Sequence, residues 1–364
     1  MKFLTKLSCV LTAIISIFIC VGCTGGYSPD KVINLFRFNT DVHIEVYDKP
    51  ISAETKNRIS TILLDLENEI SLTKQGSKIK LFNESAINTP VTFSERAYEL
   101  LSLAKDYTTQ TCNKFNLAVY PLVKLWGFAS EDYPLPTFTP PAVDQIAVAK
   151  ELSTPAHLFL NDTDNTAHKS IDGAKIDLGG IAKGYATDLI LDILKADGHT
   201  DGYISVGGSS MYILSLKNRN STFSIRHPEN RNQTILSFHK DTVQSTAVST
   251  SGDYERYYEL NGKRYSHVID SQTGAPSDTG VISASVLGGK ACFSDTLTTA
   301  LMLCEFDTDN PENSELVKFI NQTLKSYPKL KFFVFYKKDG VKRLITNATQ
   351  GYTLLDTSFS IENI

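Results

Sequence analysis

Four short stretches of the chain hold residue types that can do chemistry. The first runs Lys175-Ile-Asp-Leu-Gly-Gly-Ile-Ala-Lys-Gly-Tyr185. A strand ending at Asp177-Leu178, a turn at Gly179-Gly180 and a helix beginning directly after would expose unpaired N–H groups at the positive end of a helix dipole. Glycine lets backbone approach a ligand closely, and Lys183 adds a cation in the first turn. The result is an anion cradle, although its spacing is neither a Walker A loop nor GxGxxG. A tight strand-to-helix turn with a solvated lysine would use the same letters. The second stretch, Ala291 to Ala300, sets Asp295 and Thr299 four residues apart and so on one helical face. A carboxylate and a hydroxyl are hard oxygen donors suited to Mg²⁺ or Ca²⁺; a helix-capping Asp with a buried Thr is the alternative. The third, Tyr265 to Pro276, contains His267, which on a strand from Tyr265 to Asp270 shares a face with Tyr265 and Ile269. An imidazole can take a proton from a hydroxyl near neutral pH, or it can be satisfied within a sheet. The fourth, Asn116 to Phe128, holds the one tryptophan. Its aromatic and apolar residues suit either the enclosure of a flat ring or plain core packing.

Elements must place these stretches. Val42, Ile44 and Val46 alternate with polar neighbours, as a half-buried strand does. Ile59, Ile62, Leu63, Leu66 and Ile70 repeat at helical spacing, which predicts a helix over Ala53 to Ser71. A second helix starts after Thr92 or Ser94 and buries Leu100, Leu101 and Ala104, with Thr92 and Glu95 able to form a capping box. Four prolines between Asp132 and Pro141 predict an exposed loop. A short helix follows over Val143 to Leu152, then a hairpin or meander from Ala156 to Leu178 with turns at Asn161-Asp162 and Asp172-Gly173. The next helix, Ile181 to Ala196, buries Ile181, Tyr185, Leu189 and Ile193 and stops near Gly198. Asn261-Gly262 and Asp339-Gly340 mark two hairpins, Asp270 opens a turn that Gly274 completes, and further helices lie around Leu297 and over Glu315 to Leu324. Helices and strands come in mixed order without repeated βαβ units, which predicts an α+β fold with largely antiparallel sheets.

The 364 residues are 41% hydrophobic and 21% charged, with a formal net charge of -4. That composition supports a real core and provides no basic stripe for nucleic acid. Lys2 and Lys6 precede an apolar run from Leu7 to Val21, a pattern of secretory signals that is too short for a comfortable bilayer span. It ends Cys20-Val21-Gly22-Cys23, similar to the lipobox of bacterial lipoproteins. The expectation is a signal peptide over 1–22, a lipidated Cys23, a tether over 23–31 and one folded domain over 32–364, held at the extracytoplasmic face of the cell membrane by its lipid. The remaining Cys112, Cys292 and Cys304 match no zinc spacing and read as buried small hydrophobes. One disulfide among them is open, and spacing does not choose the pair.

Taken together and in order, these segments resemble the ApbE family of FAD:protein FMN transferases. The resemblance rests on PLVKLWGF within the fourth stretch, DLGGIAKGYATD (Asp177 to Asp188), SVGGSSM (Ser205 to Met211), STSGDYERYYELNGKRYSHVIDSQTGAP (Ser249 to Pro276) and SDTLTTA (Ser294 to Ala300). It spans residues 32 to 305. The resemblance implies an ApbE-like, T-fold-like architecture and Mg²⁺ held by Asp295, Thr299 and the Gly180 carbonyl. It implies FAD contacts at Lys114, Phe115, Asn116, Asp177, Lys183 and Ile269, and His267 as the base. Where the family often has a Met-Gly-Thr-like segment touching the flavin, this chain has Phe38-Asn39-Thr40, so the flavin contact would fall to Phe38. The implied reaction cuts the FAD pyrophosphate and moves FMN onto a Ser or Thr hydroxyl of an acceptor protein, releasing AMP. The acceptor would be a redox-pump subunit or an extracytoplasmic electron-transfer protein with a short flavinylation motif. Water in place of that hydroxyl would make the same site an FAD pyrophosphatase. A non-catalytic FAD-binding lipoprotein and a solute-binding lipoprotein are further alternatives.

Overall fold

The computed structural model describes residues 28–129, 132–216 and 222–364. The signal segment and Cys23 lie outside the described residues. Eight α-helices are present among them: α1 Ala53–Ile70, α2 Lys78–Glu84, α3 Glu95–Gln110, α4 Tyr120–Leu125, α5 Val143–Leu152, α6 Gly179–Ala196, α7 Ala291–Leu301 and α8 Glu315–Ser326.

The frame is a nine-stranded sheet. Its strands, in spatial order, are Val32–Arg37, Thr40–Val46, Gly202–Val206, Ser210–Ser215, Thr246–Gly252, Val281–Leu287, Lys331–Lys338, Val341–Thr346 and Ser360–Asn363. Every pairing is antiparallel except the last. The expected α+β class with largely antiparallel sheet is what the chain forms.

Side chains alternate across a strand, and here both faces are used. Phe332, Val334 and Tyr336 point into the core beneath α3, α7 and α8. Their neighbours Phe333 and Phe335 point the other way, toward a small sheet formed by Phe223–Arg226, Thr234–Phe238 and Tyr352–Leu354. At the other end of the large sheet, Val42, Ile44, Val46, Ile204 and Val206 pack under α1 and α6. Three layers result: helices, large sheet, small sheet. A satellite core of Leu122, Trp126, Phe128, Ala149, Tyr258 and Ile269 gathers α4, α5 and the Tyr257–Ser266 ribbon into a lobe beside them.

Several boundaries differ from the sequence expectations for local reasons. Helix α3 is capped by Ser94, whose hydroxyl accepts from the Ala97 amide, so Thr92 makes no capping box. Ala174, Ile176 and Leu178 are buried at strand-like spacing, but no strand reaches Asp177-Leu178. The Asn83 side chain brackets Ile176, accepting from its N–H at 2.7 Å and donating to its carbonyl at 2.9 Å. The Asp177 amide donates to Leu117. Gly179 and Gly180 are not a turn; they open α6 itself. In α6 the buried stripe runs through Ile190 rather than Leu189, which is only half-buried. The proline-rich loop is exposed at Pro134 and Pro136, yet it folds back at Phe138, whose ring stacks on Tyr258 with centroids 4.2 Å apart. Both Asn-Gly and Asp-Gly hairpins form as expected.

Candidate active site

Helices α6 and α7 bring the first two chemical stretches together. They cross so closely that a Cβ built on Gly184 would lie 2.4 Å from the Ala291 carbonyl oxygen and 2.6 Å from the Cys292 Cα. Only glycine fits there. The Gly184 amide donates to the Asp295 carboxylate at 3.1 Å. One turn earlier, Gly180 faces Thr299, whose Oγ1 is 3.5 Å from where a Gly180 Cβ would sit. The Phe115 ring lies 3.1 Å from the same Cβ position. Gly184→Ala is therefore expected to lower stability by about 1–3 kcal/mol through overpacking and to pull Asp295 off its amide. A fall in the denaturation midpoint together with lost activity checks this; a fully active variant of wild-type stability would contradict it.

Asp295 is 3% exposed. Burial pushes its carboxyl up, against the pull of Lys183 and the Gly184 amide. The expectation of one face for Asp295 and Thr299 holds, and Thr299 is half-buried beside it. Asp177 accepts from the Gly179 amide at 2.7 Å, so it caps the start of α6. Lys183 extends back along the helix and donates to the Gly179 carbonyl at 3.3 Å. Its stem lies 3.2 Å from a Gly207 Cβ position, and Thr40 reaches the same point at 2.8 Å. Gly207, at φ 64°, thus lets the Ser205–Met211 segment and the Phe38-Asn39-Thr40 tip close on Lys183.

Phe38 and Asn39 form that hairpin tip with φ of 53° and 58°. An aromatic residue is rare in the left-handed region and strained there. The Phe38 amide donates to Glu67 at 2.9 Å, which holds the tip in place.

His267 does not sit within a continuous strand. The ribbon stops at Ser266 and resumes as a separate two-residue strand at Ile269. Between them the His267 amide and its Nδ1 both turn to the Arg256 carbonyl, at 3.0 and 3.1 Å. A carbonyl oxygen only accepts, so Nδ1 carries the proton and Nε2 keeps its lone pair. Burial, with Arg256 and Lys183 adding to it, holds the imidazole down to about 4. Lys183 therefore acts electrostatically on both Asp295 and His267.

Other residues expected to contact FAD have partners within the chain. The Lys114 ammonium donates to the Leu303 carbonyl at 2.7 Å and pairs with Glu315 at 2.9 Å. Asn116 donates to Ser153 and accepts from Ala118. Ile269 is buried in the aromatic lobe. Trp126 donates to the Gly274 carbonyl at 2.8 Å and is core, not a ring enclosure open to ligand. Cys292 and Cys304 are buried, but Cys112 is exposed, against expectation, and all three thiols are free. Among the described residues no three His, Cys, Asp or Glu side chains gather into a metal cluster. Sequence reasoning missed two residues that build the site: Gly184, and Asp188, whose carboxylate accepts from the Ala291 and Cys292 amides. Their spacing of four and eight from Gly180, one face of the helix, was the available signal.

The mixed sheet and paired helices bring a buried carboxylate and an imidazole under the influence of one lysine, and the family match and curated relatives give the class of enzyme, a transferase. The chain belongs to the ApbE family, whose model matches residues 38–311. It is 30% identical over 260 residues to the FAD:protein FMN transferase of Buchnera aphidicola subsp. Schizaphis graminum, covering 71% of this chain and 75% of that one. To the Escherichia coli K12 FAD:protein FMN transferase it is 30% identical over 266 residues, covering 70% and 72%. The solved flavin transferase ApbE from Vibrio cholerae superposes with a TM-score of 0.70 at 23% identity, covering 85% of this chain and 94% of that one. The ApbE protein from Thermotoga maritima gives 0.67 at 26% identity, covering 83% and 94%.

Proposed function

We propose that this chain transfers the FMN half of FAD to a Ser or Thr hydroxyl of an acceptor protein, in the presence of Mg²⁺, and releases AMP. The observation that carries this reading is the α6–α7 seam. It sets the Gly180 backbone, Asp295 and Thr299 side by side, and Lys183 acts electrostatically on both Asp295 and His267.

The oxygens on the seam fit a divalent cation. One buried carboxylate with incomplete compensation, one hydroxyl and one carbonyl are hard donors, and Mg²⁺ is usually held by one or two carboxylates together with substrate phosphates. In a regular helix the Gly184 amide serves the Gly180 carbonyl; here that amide also donates to Asp295 at 3.1 Å. Asp295, Thr299 and Gly180 would hold the ion, which when bound supplies charge neutralisation at the phosphates. Lys183 and the positive end of the α6 dipole would attract pyrophosphate oxygens; the Gly179, Ile181 and Ala182 amides, expected to be unpaired, already donate to Asp177 and Leu178. Phe38, half-buried at the hairpin tip that closes on Lys183, would offer an aromatic face to the flavin, whereas Phe115 is 3% exposed and packs in the core behind Gly180. His267 Nε2 would accept the proton as the acceptor oxygen bonds to the FMN-side phosphorus. The phosphorus–oxygen bond to AMP breaks in the same displacement, leaving a phosphoester-linked flavin and AMP.

Lipidation at Cys23, with the domain displayed outside the cytoplasmic membrane, completes the reading and rests on the lipobox pattern. Among the described residues no helix is long and apolar enough to cross a membrane.

The test is to incubate the chain with FAD, Mg²⁺ and a peptide carrying a Ser/Thr flavinylation motif, and to follow AMP and peptide mass. FMN added to the peptide, and abolished by EDTA, is the expected result. AMP and free FMN regardless of peptide would make it a pyrophosphatase, and FAD bound without turnover would make it a carrier.

A further inference from the structure

Helices α6 and α7 are antiparallel and meet in steps of four residues. Asp188 faces Ala291, Gly184 faces Asp295 and Gly180 faces Thr299. Two of these rungs carry the oxygens assigned above to the cation. The third carries none, yet it is the most strongly bonded: Asp188 Oδ1 accepts from the Ala291 amide at 2.8 Å and Oδ2 from the Cys292 amide at 2.9 Å.

We propose that Asp188 is a positioning residue for the reaction. Its carboxylate fixes the axial register of α7 against α6, and with it the spacing of the Gly180, Asp295 and Thr299 oxygens. The inference rests on the cation reading of that seam.

The first amides of a helix have no intrahelical acceptor. Helix α7 begins after Lys290, which provides no side-chain cap. The cap comes instead from another helix, and it takes both oxygens of one carboxylate. A single bond would let α7 pivot; two bonds to consecutive amides resist rotation as well as sliding. The empty Cβ position of Gly184 brings its backbone against Ala291 and Cys292, the same two residues whose amides Asp188 accepts, so that end of α7 is held both by hydrogen bonds and by steric fit. One residue of slippage moves a helix by about 1.5 Å. Mg²⁺ demands near-ideal octahedral geometry at roughly 2.0–2.1 Å, so a displacement well short of that step removes a ligand. A cap that served only the fold would affect melting and leave the affinity for the ion alone.

The experiment measures the thermal unfolding midpoint of the detergent-solubilised full chain against MgCl₂ concentration, without FAD. Four proteins are compared: wild type, Asp188→Asn, Ala291→Pro and Tyr107→Phe. Asn offers one acceptor oxygen where Asp offers two. Proline at the first helical position is well tolerated and deletes the Ala291 amide from the other side of the contact, which keeps the question answerable if Asp188→Asn does not fold. Tyr107→Phe removes a hydroxyl contact to Cys292 Sγ at the same helix end and touches neither amide. A saturable rise with Mg²⁺ is expected for wild type. Asp188→Asn and Ala291→Pro should need about 10-fold more Mg²⁺ or above for the half-maximal rise, the usual scale for an outer-shell loss. Tyr107→Phe should keep the wild-type half-saturation. A responsive wild type with Asp188→Asn and Ala291→Pro unchanged in half-saturation overturns this proposal alone. A wild type whose midpoint ignores Mg²⁺ overturns the cation reading, and this proposal with it.

Discussion

His267→Ala is expected to lose FMN transfer by about 10²–10⁴-fold, the scale of a general base, with FAD binding little changed. The Arg256 carbonyl fixes the proton on Nδ1, so the group that alanine removes is a lone pair at Nε2. Arg256 and Lys183 add to the effect of burial and keep that lone pair free at neutral pH. The sign of the pH dependence follows. Neutral imidazole is the active form, and it is lost only as pH falls through its own pKa of about 4. The acid limb of kcat/KM, which reports the free enzyme, should therefore lie well below the 6.5 of an ordinary histidine. In the kcat profile the limb should move up, because bound pyrophosphate brings negative charge against the same two cations. Stability follows the same direction. The unfolded histidine binds its proton first as pH drops below about 6.5, so stability is complete above that point and declines toward a pH of about 4. The alanine variant lacks that decline. Transfer at the wild-type rate by His267→Ala would remove the residue from the mechanism.

Periodicity revealed which residues lie together along one element, and it was least informative where a second element completes the arrangement. Asp295 and Thr299 were legible as a pair because four residues make one helical turn. That Gly180 would face Thr299 came only through the family resemblance and not from periodicity, since it depends on the antiparallel register of α6 and α7. Asp188 reads in isolation as a solvated acid in mid-helix, and only the neighbouring helix start gives it two amides to accept. The same limit explains the strand expected to end at Asp177-Leu178. Alternation of Ala174, Ile176 and Leu178 reports which side faces the core, whereas a strand also needs a neighbour, and here an asparagine side chain occupies that place. Lys114 and Asn116 are expected as FAD contacts from the family resemblance alone; their polar groups bond the Leu303 carbonyl, Glu315, Ser153 and Ala118 within the chain. The order of the large sheet was beyond local pattern altogether: Thr246–Gly252 lies between Ser210–Ser215 and Val281–Leu287 by pairing across long stretches of chain.

Asp295→Asn should separate stability from function. In the metal-free protein the carboxylate is 3% exposed and is bonded by the Gly184 amide at 3.1 Å. Lys183 lies near enough to oppose the effect of burial without cancelling it. A buried charge with incomplete compensation is destabilising. Asparagine keeps the shape and an oxygen for the Gly184 amide, and it brings no charge. The metal-free variant is expected to melt higher than wild type, by roughly 2 °C for each kcal/mol of relieved burial penalty. Transfer should fall by roughly 10²–10³-fold or more, as when charge stabilisation is lost at a reacting phosphate. Mg²⁺ should raise the melting point of wild type and leave that of the variant unchanged. Melting curves with EDTA and with MgCl₂, set beside mass-spectrometric transfer assays, measure all three. The opposite signs are what identify the residue's role. An aspartate kept to tie α7 to α6 would lose stability on substitution, and activity would follow it down. An aspartate kept for a cation burdens the fold until the ion arrives, so its removal should help the empty protein and disable the working one. A variant that melts lower than wild type in EDTA would assign Asp295 to the helix packing and move the cation site elsewhere.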